Sequence, residues 1–114
     1  MLILLIEDDE LKSSAMERIL NIQKIGCKVL KAVSTDRAIR LLGSMIFDIV
    51  LMDYNLSEST SEEVATFIAS RKKNERPHKV MIHSSDHDGI LRLQEILKDF
   101  QPKTIEVPQG LYEL

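Results

Sequence analysis

With 114 residues, 44% hydrophobic and 29% charged, the chain is long enough for one domain with a real core. A net charge of -3 with no dense basic stripe gives no case for nucleic acid, and no apolar run is long enough to span a membrane. One cysteine, Cys27, rules out an internal disulfide and suits a reducing compartment. No basic segment precedes the first apolar run, so the expected location is the cytoplasm.

Leu2 to Ile6 reads as a first strand, followed by the acidic run Glu7-Asp8-Asp9-Glu10. Glu10 to about Gln23 reads as a helix whose apolar face carries Leu11, Ala15, Ile19 and Ile22, with Met16 and Leu20 beside it. Gly26 suits its C-terminal stop. Cys27 to Val33 is a second strand, weakly alternating and so placed at a sheet edge, with Cys27 packing as a small apolar residue. Ser34 or Thr35 caps a second helix running to about Ser44, which buries Ala38, Ile39, Leu41 and Leu42.

Phe47 to Met52 is a third strand, continuously apolar from Ile49 as a two-sided parallel strand should be, and Asp53 ends it. Tyr54 to Thr60 is a polar loop. Ser59/Glu62 or Thr60/Glu63 offers a capping box for a third helix that buries Val64, Phe67 and Ile68. Arg71-Lys72-Lys73 reads as its solvated C-terminus, and the helix ends before Pro77. Lys79 to His83 is a fourth strand. Asp88 to about Phe100 is a fourth helix with Ile90, Leu93, Leu97 and Phe100 on one face. Thr104 to Val107 is a short fifth strand, and the five methionines read as core filling.

This β-α alternation implies one parallel sheet with helices on both faces. Right-handed crossovers put every strand C-terminus on one edge, where ligands bind in such sheets. Glu7, Asp8, Asp53, Ser84 and Val107 all fall there. Carboxylates about 5 Å apart repel by about 3 kcal/mol at an effective dielectric near 20. A cation or a proton relieves that repulsion. Oxygen donors alone suit Mg²⁺, which would orient a phosphoryl group toward a carboxylate nucleophile, with Asp53 the best placed. The competing reading is plain: Glu7 to Glu10 could simply be a favourable charge cluster at a helix start. Alternation points His83 away from this edge, as a structural or partly exposed histidine, and His87 reads as a helix-cap neighbour.

The stretches Ile3-Leu4-Leu5-Ile6-Glu7-Asp8-Asp9-Glu10 and Phe47-Asp48-Ile49-Val50-Leu51-Met52-Asp53-Tyr54-Asn55-Leu56 resemble the receiver domain of bacterial two-component response regulators. The resemblance covers Met1 to Pro108 and makes residues 1–114 one receiver domain. It implies a flavodoxin-like, doubly wound sheet of order 2-1-3-4-5. It implies that Asp53 is the phosphoacceptor and that Glu7 and Asp8 hold Mg²⁺, with Asp8 the direct ligand and Asp9 the alternative. It implies that the Asn55 backbone carbonyl completes the metal site and that Ser84 is the switch hydroxyl. The implied partners are a histidine kinase or phosphotransfer protein and a downstream protein target.

Five departures stand out. Val107 replaces the lysine expected before Pro108, and Thr104 replaces the aromatic switch residue. Losing a charge-assisted hydrogen bond of that kind costs about 1.5–3 kcal/mol. Ser57 and Ser61 stand where proline and glycine are usual. Only six residues follow Pro108, so the fifth helix is expected to be absent or vestigial, leaving an apolar face for a homodimer or another partner. Three readings result: a stand-alone phosphoacceptor receiver, not an enzyme beyond autophosphorylation and autodephosphorylation; a pseudo-receiver binding partners independently of phosphorylation; and, last, a Mg²⁺-dependent phosphohydrolase.

Overall fold

Ile3 to Ile6 and Ile49 to Met52 are buried along their whole length because both faces of the sheet are covered. The computed structural model describes residues 1–23, 26–57 and 59–114. Its elements are β1 (Leu2–Ile6), α1 (Glu10–Gln23), β2 (Lys28–Ala32), α2 (Thr35–Ser44), β3 (Ile49–Met52), β4 (Asn55–Leu56), β5 (Ser59–Thr60), α3 (Glu62–Ser70), β6 (Lys79–Ile82), α4 (His87–Ile96) and β7 (Lys103–Thr104). The main sheet is parallel, in the order β2-β1-β3-β6-β7. Counting its strands alone this is 2-1-3-4-5, with β2 at an edge, so the flavodoxin-like expectation holds.

Strand alternation divides the core in two. Leu4, Ile6, Val50, Met52, Val80 and Ile82 pack with Ala38, Leu42, Val64, Ile68, Leu93 and Leu97 of the α2–α4 side. Ile3, Leu5, Ile49, Leu51 and Met81 pack with Met16 and Leu20 of α1 and with Leu111. Leu111 belongs to a 3₁₀ turn, Gln109–Glu113, that lies against α1 where a fifth helix would sit. The apolar face expected to stay open is therefore partly covered, by Leu111 and Leu114.

Several local expectations change. The inward face of α1 is Ser13, Met16 and Leu20, while Leu11 and Ile22 are 86% and 67% exposed. Tyr54 to Thr60 contains a small antiparallel hairpin, β4–β5. That hairpin takes up Ser59 and Thr60, so neither capping box forms: Ser61 precedes α3 without a side-chain cap bond, and Ser59 Oγ instead lies 3.1 Å from Thr35 Oγ1. β3 begins at Ile49, after the buried Phe47, and β7 is only Lys103–Thr104. α4 stops at Ile96, and a 3₁₀ turn, Lys98–Phe100, follows. Met16, Met52 and Met81 are buried, but Met1 and Met45 are exposed. Ser34 caps α2 by accepting from the Arg37 N–H, and Gly26, at φ +85°, turns the chain toward β2 as its sequence position suggests.

β1 is pinned at its start by Asp48. The Leu2 N–H donates to Asp48 Oδ2 (2.7 Å), and the Asp48 N–H donates back to the Leu2 carbonyl (2.8 Å). This backbone donor first, and the nearby His78 second, hold the Asp48 carboxyl below its ordinary value of 3.8. A depressed carboxyl stabilises the fold above its unfolded pKa, and the effect fades as pH falls through its folded pKa. Asp48→Asn should therefore lower the urea midpoint at neutral pH, with the difference from wild type shrinking as pH falls below about 4. A pH-independent difference would contradict this.

Candidate functional site

The ladder that aligns Ile6, Met52 and Ile82 across β1, β3 and β6 continues one residue further. The Asp53 N–H donates to the Ile6 carbonyl (3.1 Å) and the His83 N–H to the Met52 carbonyl (2.9 Å). Glu7, Asp53 and His83 are thus neighbours on one rung. Two residues after Leu5, Leu51 and Met81, they point to the α1 side of the sheet. One ligand atom from each lies within 4.8 Å of the others.

This corrects the reading of His83. Its direction follows from the rung it shares with Asp53, and it is buried at 2% exposure with its Nδ1 3.8 Å from Glu7 Oε1. Neither ring nitrogen has a hydrogen-bond partner among the described residues. Burial pushes the imidazole pKa down to about 4, against the opposing pull of the Asp53 charge, so the ring is neutral at physiological pH. Glu7 is buried at 1% exposure. Its Oε2 accepts from the Asp9 N–H (3.2 Å), and Lys12 Nζ stands 3.2 Å from Oε1. Burial raises the Glu7 pKa, and the Asp53 charge adds to the rise, while the Asp9 N–H and Lys12 oppose it.

The other expected site residues surround this rung. Asp8 is half-buried and its Oδ2 accepts from Ser57 Oγ. Asp9 accepts from the Lys12 N–H and serves the start of α1, as the plain helix-start reading held. Asn55 pairs with Thr60 in the hairpin, and its side-chain amide donates to Asp86 (3.0 Å), the N-cap of α4. Ser84 is half-buried, with Oγ accepting from the Asp86 N–H (3.2 Å). Val107 lines a cavity of about 160 Å³ together with Lys12, His83, Ser84, Ser85 and Ile105. His87 is the exposed first residue of α4.

The segment after Asp53 is tied to α4. Tyr54 donates its hydroxyl hydrogen bond to Glu62, which also pairs with Arg92 of α4 (2.9 Å). A Cβ on Gly89 would come within 2.3 Å of the Tyr54 ring, so glycine at the start of α4 lets that ring lie against the helix.

Sequence reasoning missed His83 and Lys12. His83 was recoverable by counting the rung from Asp53 rather than from Ser84. Lys12 was recoverable as a first-turn residue of α1, whose N-terminus abuts Glu7.

The fold is that of the response regulator receiver domains. A putative response regulator from Chloroflexus aurantiacus superposes with a TM-score of 0.79 at 15% identity, covering 98% of this chain and 91% of that one. A CheY-like receiver domain protein from Methanospirillum hungatei gives 0.78 at 15% identity, covering 98% and 85%. A response regulator from Burkholderia pseudomallei, with a phosphorylated aspartic acid, a calcium ion and citrate, gives 0.74 at 16% identity, covering 98% and 62%. No protein-family model matches the sequence, and no curated protein does. Among the described residues no helix is long and apolar enough to cross a membrane.

Proposed function

We propose that this chain is a phosphoacceptor receiver of a two-component phosphorelay in the cytoplasm. The observation that carries the reading is the pairing of Glu7 and Asp53 on one rung at the carboxyl edge of a receiver-type sheet. In the proposed reaction an Asp53 carboxylate oxygen attacks the phosphorus of a phosphohistidine on a kinase or phosphotransfer protein. The new O–P bond gives an acyl phosphate, and the N–P electron pair returns to the imidazole.

The carboxylates fit a divalent cation. Glu7 is buried with the Lys12 ammonium 3.2 Å from its Oε1, Asp53 is beside it, and both carboxylates offer hard oxygen donors. Glu7 and Asp53 would hold Mg²⁺, with Asp8 and the Asn55 carbonyl as further candidates. The ion would supply charge neutralisation for the incoming phosphoryl group. Lys12 is the ammonium beside Glu7 in the cavity where Val107 leaves none. Ser84 borders the same cavity and can offer its hydroxyl hydrogen. The links from Asn55 to Asp86 and from Tyr54 through Glu62 to Arg92 would carry a change at Asp53 to α4, where a downstream protein partner would read it. A homodimer would use what Leu111 leaves uncovered beside α1, where Leu11 and Ile22 are exposed.

The test is intact mass after incubation with a small phosphodonor, with and without Mg²⁺. One Mg²⁺-dependent phosphoryl adduct is expected, and it should vanish in Asp53→Asn. Val107 in the cavity favours the second reading, a pseudo-receiver that binds partners without phosphate. No adduct, together with no stable beryllofluoride complex, would select it.

A further inference from the structure

His83 is the least explained group in the molecule. Buried imidazoles normally bond through at least one nitrogen, and this one bonds through neither while facing two carboxylates. We infer that Glu7, Asp53 and His83 form a mixed oxygen–nitrogen site that binds a divalent transition ion, Zn²⁺ or Mn²⁺, in preference to Mg²⁺. The inference deepens the proposed reading by naming the metal class of the same edge, and it does not require Asp53 to accept phosphate.

Three features support it. The donors come from adjacent strands whose spacing is fixed by backbone hydrogen bonds, so the site is built on rigid elements. Two carboxylates and one neutral imidazole leave a charge of -2, which a divalent ion balances. At present Lys12 Nζ supplies cationic charge 3.2 Å from Glu7 Oε1, and its side chain is 36% exposed, free to swing into solvent when an ion arrives. Donors that share an ion at about 2.0–2.2 Å lie roughly 3–3.5 Å apart. The 3.8 Å between His83 Nδ1 and Glu7 Oε1 is within a small rotamer adjustment of that.

The preference follows from donor chemistry. Mg²⁺ demands near-octahedral oxygen and releases water reluctantly, whereas imidazole suits zinc and its neighbours and carboxylates also suit manganese. Replacing the third oxygen donor by nitrogen thus works against Mg²⁺ and for the transition ions.

The experiment titrates the full chain, stripped with a chelator, with Zn²⁺, Mn²⁺ and Mg²⁺ in separate calorimetric runs. His78 and His87 lie on the surface, so their double alanine variant serves as the background. One Zn²⁺ per chain is expected, bound at least about tenfold more tightly than Mg²⁺, and His83→Val should weaken Zn²⁺ by about 10–100-fold while leaving Mg²⁺ nearly unchanged. His83→Gln, which keeps the volume, should do the same. In the background chain, Co²⁺ should show an absorption spectrum that changes when His83 is replaced. Neither Zn²⁺ nor Mn²⁺ binding more tightly than Mg²⁺, or transition-ion binding indifferent to both His83 variants, overturns the inference. Zn²⁺ selectivity through His83 with neither a phosphoryl adduct nor a beryllofluoride complex supports the inference and rejects the receiver reading. An adduct with Mg²⁺ and no role for His83 rejects the inference alone.

Discussion

Phe47→Ala is expected to cost about 3–5 kcal/mol of folding stability. Among the described residues Phe47 is the one aromatic ring with no solvent exposure, in a chain with few aromatics to share its role. It packs in the core shared with α2, α3 and α4, immediately before β3. Its carbonyl also accepts the His78 N–H (3.0 Å), which fixes the approach to β6. Removing the ring forfeits its transfer free energy and leaves a cavity that a rigid sheet closes poorly. Against a typical total of about 5–15 kcal/mol, that loss would leave the variant marginal near body temperature. Urea unfolding should show a lower midpoint with an unchanged slope, while Phe47→Leu, which refills most of the volume, should lose less than about 1.5 kcal/mol. A loss below 1 kcal/mol in the alanine variant would mean that the site collapses around the gap and that the packing described is wrong.

The same residue shows what a sequence can reveal. Phe47 and the run Ile49 to Met52 declared a buried strand because a strand covered on both faces has no polar alternation to confuse the reading. The shared carboxyl edge then followed from topology rules that hold whatever the side chains are, while the strand order came from the resemblance to receiver domains. α1 was harder. Its apolar residues spread around the helix, and the 3.6-residue period alone favoured Leu11, Ala15, Ile19 and Ile22. Packing chose Met16 and Leu20, with Ser13 inward, because the turn carrying Leu111 lies on that side.

The hairpin β4–β5 was hidden for a different reason. Two-residue strands made of Asn55, Leu56, Ser59 and Thr60 carry no periodic signal, and their pairing is decided by the closure of the loop. At the site, the carboxyl edge was legible but its inner rung was not. Reading the fourth strand outward from Ser84 placed His83 on the wrong face. Its true neighbours are set by the register of β6 against β3, a non-local fact. Lys12 likewise becomes relevant only when α1 folds back over Glu7.

His83→Val is expected to raise the stability of the chelator-treated protein by about 1–3 kcal/mol. A buried polar group without a partner costs about that much, and the imidazole has two such nitrogens. Valine is three heavy atoms smaller, which enlarges the cavity the imidazole now borders and offsets part of the gain, but it is favoured on a pleated surface and would face Ile105 and Val107. Glu7 keeps its pairing with Lys12 and the Asp9 N–H, so the substitution strands no new charge. The gain should appear as a higher urea midpoint with an unchanged slope. Saturating Zn²⁺ should then cancel or reverse the difference, because binding to the native state stabilises in proportion to the logarithm of ligand over dissociation constant, and a 10–100-fold tighter site in the wild type is worth about 1.4–2.7 kcal/mol. A polar group kept at a cost in the free protein and repaid on binding is the pattern of a site retained for function over stability. If His83→Val instead destabilises the chelated protein, the imidazole is already satisfied in solution, and both its orphaned state and the advantage assigned to valine fall together.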